Sequence, residues 1–105
     1  MLFRTLSRAF SRQTVGEIVN KYPVVVFSKS TCPFCSGAKQ RLKAMGVTVH
    51  VVEVDIHDQG PDYHKALLEM TNQKTVPYIF INQNFIGGQQ ELMTKDIEAL
   101  LNSSN

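Results

Sequence analysis

The sequence predicts an α/β domain in which helices flank one mixed four-stranded sheet. Three observations carry this reading. Short β-branched runs alternate with segments whose apolar residues recur every three or four positions, so strands and helices interleave. A helical stretch separates the first two strand candidates, which is the connection that parallel neighbours require. Only Asn82-Gln83-Asn84 separates the last two, which makes them a hairpin.

Val15, Ile18 and Val19 stand at helical spacing, with Ser11 or Thr14 as caps, and predict a short helix over about 13–21 that Pro23 ends. Val24 to Phe27 is short, continuous and mostly β-branched, as a buried strand should be. Ala38, Leu42 and Met45 mark one face of a helix running from the Cys32-Pro33-Phe34-Cys35 tetrapeptide to a stop at Gly46. Val47 to Val54 reads as the second strand, tipped by Glu53 and Asp55. Gly60-Pro61 precedes a third helix with Tyr63, Leu67, Leu68 and Met70 on or near its inner face, and Asn72 suits its C-cap. Val76 to Ile81 forms a third strand with Pro77 near its start, and Phe85-Ile86 a brief fourth. Gly87-Gly88 opens a last helix whose apolar side is Leu92, Met93, Ile97, Leu100 and Leu101. No internal repeat or low-complexity tract interrupts this order.

At 105 residues the chain holds one core. With 43% apolar and 19% charged residues it has an ordinary globular balance, and no apolar run is long enough to cross a bilayer. The net charge of +2 hides an asymmetry. Residues 1–16 carry Arg4, Arg8 and Arg12 and no acid, whereas the rest has eight basic and nine acidic residues. The domain is therefore near neutral, which argues against a nucleic-acid partner. Residues 1–13 form a basic extension, rich in Arg and Ser, with its arginines at i, i+4 and i+8 against Leu2, Phe3, Leu6 and Phe10. That is the composition of a mitochondrial transit peptide; the alternatives are a basic extension of the first helix or a frayed cytosolic tail. Residues 14–105 are the domain proper, expected to be a monomer without a membrane partner. Two cysteines in one tetrapeptide cannot staple distant parts of a chain, which fits a reducing compartment, mitochondrial or cytoplasmic.

The cysteine spacing carries the chemistry. Two thiols at i and i+3 where a helix begins lie about 5–6 Å apart at Cα, within reach of a reversible disulfide. Proline favours the first helical position, so Pro33 makes Cys32 the N-cap. A Cys32 thiolate then gains the amides of Phe34 and Cys35 and the positive end of the helix dipole, with Lys29 upstream as a further positive charge. Cys32 is the expected nucleophile. Cys35, one turn in and shielded, is the expected resolving thiol. A metal site would need two further ligands, and His50, His57 and His64 lack a compact spacing, so no metal is expected.

The run Lys29-Ser30-Thr31-Cys32-Pro33-Phe34-Cys35, followed by Thr75-Val76-Pro77 and then Gly87-Gly88, resembles the dithiol glutaredoxin family of the thioredoxin fold over about residues 14–102. The resemblance implies a thioredoxin-like fold and a glutathione-dependent thiol–disulfide oxidoreductase. Its partners would be glutathione as co-substrate and proteins that are glutathionylated or carry disulfides. It implies a cis-proline loop at Thr75-Val76-Pro77, with the Val76 backbone pairing with the cysteine moiety of glutathione. Lys29, Gln73 and Lys74 match positions that face the glycine carboxylate of glutathione. Gly88, Gln89, Gln90 and Glu91 match the segment that takes the γ-glutamyl end. Here the chain departs from the family: Gln90 replaces a short Ser or Asp, while Glu91 keeps an acid, and Phe34 stands where Tyr is frequent. Some family members instead bridge an iron–sulfur cluster between two protomers; Pro33 argues against that role, because cluster binders more often carry a smaller residue there.

Overall fold

A computed structural model describes residues 2–102, and for residues 2–9 the backbone alone. The elements are α1 (Leu2–Lys21), β1 (Val24–Ser28), α2 (Pro33–Ala44), β2 (His50–Glu53), α3 (Gly60–Thr71), β3 (Tyr78–Ile81), β4 (Asn84–Gly87), α4 (Gln89–Thr94) and α5 (Ile97–Asn102). The four strands lie in the order β2-β1-β3-β4. As predicted, β1 and β2 are parallel and β3 and β4 antiparallel; β1 also pairs antiparallel with β3, from Val24 opposite Ile81 to Phe27 opposite Tyr78.

Successive strand residues face opposite sides of the sheet, so each side receives its own core. Val25, Phe27, Tyr78 and Phe80 meet Val15 and Val19 of α1 and Tyr63, Ala66 and Leu67 of α3. Val24, Val26, Ile79 and Ile81 meet Ala38 and Leu42 of α2, Leu92 of α4 and Ile97 of α5. Every residue of β1 is buried, as an inner strand covered on both faces requires.

Several elements differ from the sequence prediction. The first helix begins at Leu2, not near residue 13, because nothing in the Arg-, Ser- and Ala-containing start breaks a helix. Ser11 and Thr14 therefore lie inside it, and the Thr14 hydroxyl bonds the Phe10 carbonyl one turn back. The side chains of Leu2, Phe3, Arg4, Leu6 and Arg8 lie outside the described residues, whereas Phe10 is exposed and Arg12 pairs with Glu69 of α3. The second strand is only His50–Glu53; Val47 and Val49 pack against the α2 side of the core from the preceding connection. The third begins at Tyr78, after Pro77 rather than at Val76. In α3, Leu68 and Met70 are exposed and Ala66 takes the inner position three residues on from Tyr63; Leu68 falls off that face, while Met70, though in phase with it, lies one residue from the end of the helix. The last helix is two helices. Lys95 is extended, and the Asp96 carboxylate accepts the Ala99 amide at 3.1 Å, capping α5 afresh; Met93 is consequently exposed.

Other local signals hold. Gly46, at φ 77°, closes α2 with amide bonds from Gly46 to Lys43 and from Val47 to Leu42. Asn72 caps α3 in the left-handed region at φ 64°. Asn82 and Gln83 both have positive φ, as a tight two-residue hairpin demands. Among the described residues no helix is long and apolar enough to cross a membrane.

Candidate active site

The fully buried strand β1 delivers the chain into a turn, closed by the Cys32 amide on the Lys29 carbonyl at 3.1 Å. Pro33 then starts α2. Cys32 has extended N-cap geometry, and its sulfur accepts the Cys35 amide at 3.2 Å. Of the two amides expected there, this is the one three residues on, where an N-cap side chain ordinarily reaches. The two cysteines are free thiols with unequal surroundings, Cys32 half-buried and Cys35 fully buried. Burial pushes the Cys35 thiol up to about 12, and its hydrogen bond with the Cys32 side chain acts in the same direction.

Beside this turn is a cleft of about 370 Å³, within the range of small-ligand sites. Phe34, 68% exposed, forms one wall. The Val76–Pro77 peptide is cis, as the resemblance implied, and Thr75, Val76 and Pro77 line the cleft together with Gln73. Gly88, Gln89, Gln90 and Glu91 complete it from the start of α4. Lys29 and Lys74 do not line it: Lys29 is half-buried in the turn before Cys32, and Lys74 is exposed on the loop before Thr75.

Two lining residues have internal partners that their sequence context did not announce. Gln73 Nε2 donates to the carbonyls of Thr75 at 2.7 Å and Pro77 at 2.9 Å, so its amide spans the cis-proline loop. Tyr78 Oη reaches back to the Gln73 carbonyl at 2.6 Å and fixes the base of the same loop. Glu91 Oε1 accepts the Gly88 amide at 2.7 Å, the return half of a capping box, which holds the glycine turn against α4. Gly87, at φ 121°, sits so close to the Glu91 side chain that a Cβ would collide with it.

Sequence reasoning also missed two polar ties behind the cysteines. Ser30 donates its amide (3.0 Å) and hydroxyl (2.5 Å) to Asp55, whose carboxyl is thereby held below its ordinary range. Glu53 accepts the hydroxyl of buried Ser28 and the ammonium of Lys39, the latter at 3.1 Å. The available signal was a pair of acids tipping β2 opposite serines that end the apolar run of β1. The three histidines lie apart: His50 stacks on Tyr22, His57 packs on Tyr63, and His64 meets the edge of Tyr78. Among the described residues, no three His, Cys, Asp or Glu side chains gather where they could hold a metal ion.

A thioredoxin-type sheet whose inner strand leads to a dithiol at a helix N-terminus, next to a cis-proline loop, defines a class of thiol–disulfide oxidoreductases. Comparison with known proteins narrows the class. The glutaredoxin family model matches residues 24–86. Glutaredoxin-C1 of Arabidopsis thaliana is 48% identical over 77 residues, covering 73% of this chain and 62% of that protein. The mitochondrial glutaredoxin-2 of Rattus norvegicus is 45% identical over 74 residues, 70% of this chain and 47% of its own length. The chain thus matches about three fifths of the plant relative and under half of the rat one. Among solved structures, a buckwheat glutaredoxin–glutathione complex superposes with a TM-score of 0.84 at 35% identity, covering 90% of this chain and 86% of that one. The chain belongs to the glutaredoxin family.

Proposed function

We propose that this chain reduces protein–glutathione mixed disulfides and protein disulfides, with glutathione as the electron donor and Cys32 as the nucleophile. The observation that carries the reading is the asymmetry of the dithiol: Cys32 half-buried on the helix N-cap, two residues before the Phe34 wall of the cleft, and Cys35 fully buried one turn in. In the first step the Cys32 thiolate attacks the glutathione sulfur of a mixed disulfide. A Cys32–glutathione disulfide forms, and the protein thiol leaves and takes a proton. A second glutathione then attacks that disulfide, returning Cys32 and releasing glutathione disulfide. With a protein disulfide as substrate, Cys32 binds one sulfur and Cys35 displaces it, closing the Cys32–Cys35 bond, which glutathione reopens.

The cleft beside Cys32 supports glutathione as the partner. An extended tripeptide would pair its backbone with that of Val76, and Gly88 to Glu91 would offer polar groups to its opposite end. A relative of similar fold is described in complex with glutathione. Gln73 serves this site by shaping its loop, since both hydrogen bonds of its amide nitrogen go to the loop's own carbonyls. The acid-free, Arg-rich residues 1–13 support import into mitochondria, the compartment in the name of the rat relative. Fusing residues 1–13 to a reporter tests that assignment, and a reporter left outside mitochondria would overturn it.

The test of function separates the two cysteines. Cys32→Ser should abolish turnover of a glutathione mixed disulfide. Cys35→Ser should retain it while losing reduction of protein disulfides. Equal loss in both variants would refute this division of roles.

A further inference from the structure

Behind Cys35 lies a chain of polar side chains that the reaction just described does not use. Lys39 follows Cys35 by four residues on α2, so the two side chains are neighbours on one face of the helix. The Lys39 ammonium is tied to Glu53 at the end of β2, and the same carboxylate oxygen accepts the hydroxyl of Ser28, buried at the end of β1. The ion pair is largely covered, with the two side chains 30% and 22% exposed. An unanchored surface lysine keeps its rotamer freedom and points its charge at water. This one is held by Glu53, itself tied to Ser28 of the neighbouring strand, on the helix face it shares with the shielded thiol.

We propose that Lys39 is a positioning residue for the resolving step, its ammonium fixed by Glu53 and Ser28 so that it stabilises the Cys35 thiolate that attacks the Cys32 mixed disulfide. The inference rests on the reading of Cys35 as the resolving thiol. In that step Cys35 gives up its proton and its sulfur lone pair forms a bond to Cys32 Sγ. The bond from Cys32 to the substrate sulfur breaks, and that sulfur leaves with the electron pair and takes the proton. No outside oxidant or reductant is consumed. The difficulty of the step lies in making a thiolate at a buried position, where burial favours the protonated thiol; the Cys32 contribution belongs to the free dithiol and falls away once Cys32 is in the mixed disulfide. The groups acting on Cys35 are few: Cys32 from the cap turn, the Lys29 backbone, and Lys39 from α2. The Lys29 backbone and the Lys39 charge oppose the rise, and of these two only Lys39 acts through a charge. Glu53 reaches Lys39 from β2, trading part of that charge for a fixed position.

Stopped-flow mixing of the reduced full chain with glutathione disulfide tests this. The first phase, attack by Cys32, releases one glutathione, and the second, closure by Cys35, releases another. Removing the charge in Lys39→Met should slow the second phase about threefold: one pKa unit changes the thiolate population tenfold, while nucleophilicity shifts about threefold the other way. The first phase should keep its rate. Lys39→Arg, which retains the charge, should close at the unaltered rate. An unchanged second phase in Lys39→Met would overturn the inference, as would equal slowing by Met and Arg, because shape and not charge would then matter. A first phase that persists in Cys32→Ser would instead overturn the underlying assignment of the nucleophile.

Discussion

Replacing Gln73 by alanine removes the one side chain that spans the cis-proline loop, and its cost can be worked from the two bonds it makes. The bond to the Thr75 carbonyl is exposed, so water replaces it cheaply; the bond to the Pro77 carbonyl is partly buried, and its loss strands an acceptor. With about 0.5 kcal/mol for the first and about 1.5 kcal/mol for the second, the substitution should destabilise the fold by about 2 kcal/mol. For a domain of this size that lowers the melting temperature by roughly 10 °C. Thermal unfolding followed by circular dichroism measures the first effect, and the KM for glutathione measures the second. Both should change, because the loop that Gln73 braces also lines the cleft. A melting temperature within about 2 °C of the unaltered protein, together with a raised KM, would refute the bracing role. It would return Gln73 to the direct contact with glutathione that its sequence position suggested.

The raised Cys35 pKa predicts an alkaline loss of stability specific to the reduced protein. The folded state holds this proton more tightly than the unfolded chain, so the stabilisation is complete below about 9 and disappears as pH rises through about 12. Urea unfolding across that range should show the reduced protein losing on the order of a few kcal/mol more than Cys35→Ala; parallel curves would disprove it. Gly60 is buried at the start of α3, where a Cβ would run into the Val54 carbonyl. Gly60→Ala should therefore cost about 2 kcal/mol or more in urea unfolding, and a change within about 0.5 kcal/mol would contradict the packing described.

What was legible in the sequence was what local chemistry decides. Val24 to Phe27 could only be a buried strand, Pro33 placed Cys32 on a cap, and Asn82-Gln83 had to turn. The misreadings share a cause, which is that tertiary contacts chose between locally equivalent outcomes. Val47 and Val49 have the same β propensity as Val51 and Val52, yet they serve the core from a connecting segment while the ladder takes only His50–Glu53. The break between α4 and α5 was readable in part, because Asp96 followed by Ile97 is a capping signal hidden within an apolar periodicity that runs through it. The cleft was traced through Gln73, Thr75 to Pro77 and Gly88 to Glu91, but the partners of Gln73 and Glu91 were not. A glutamine that bonds backbone carbonyls two and four residues on looks, in sequence, like one that faces solvent.

The inner strand β1 has one further consequence. Its amides and carbonyls are engaged on both edges, by β2 and β3, and all five of its side chains are shut away from water. Local opening is rarest in such a segment, so the slowest-exchanging amide hydrogens of the molecule should lie in Val24–Ser28. The Cys32 sulfur stands only four residues beyond. The proposed nucleophile, Cys32, thus hangs from a firmly anchored stretch of backbone, whereas the facing wall of the cleft begins at α4, a helix of six residues held by its cap at Gly88 and Glu91. The proposed thiol chemistry would then be set on the molecule's most slowly opening support.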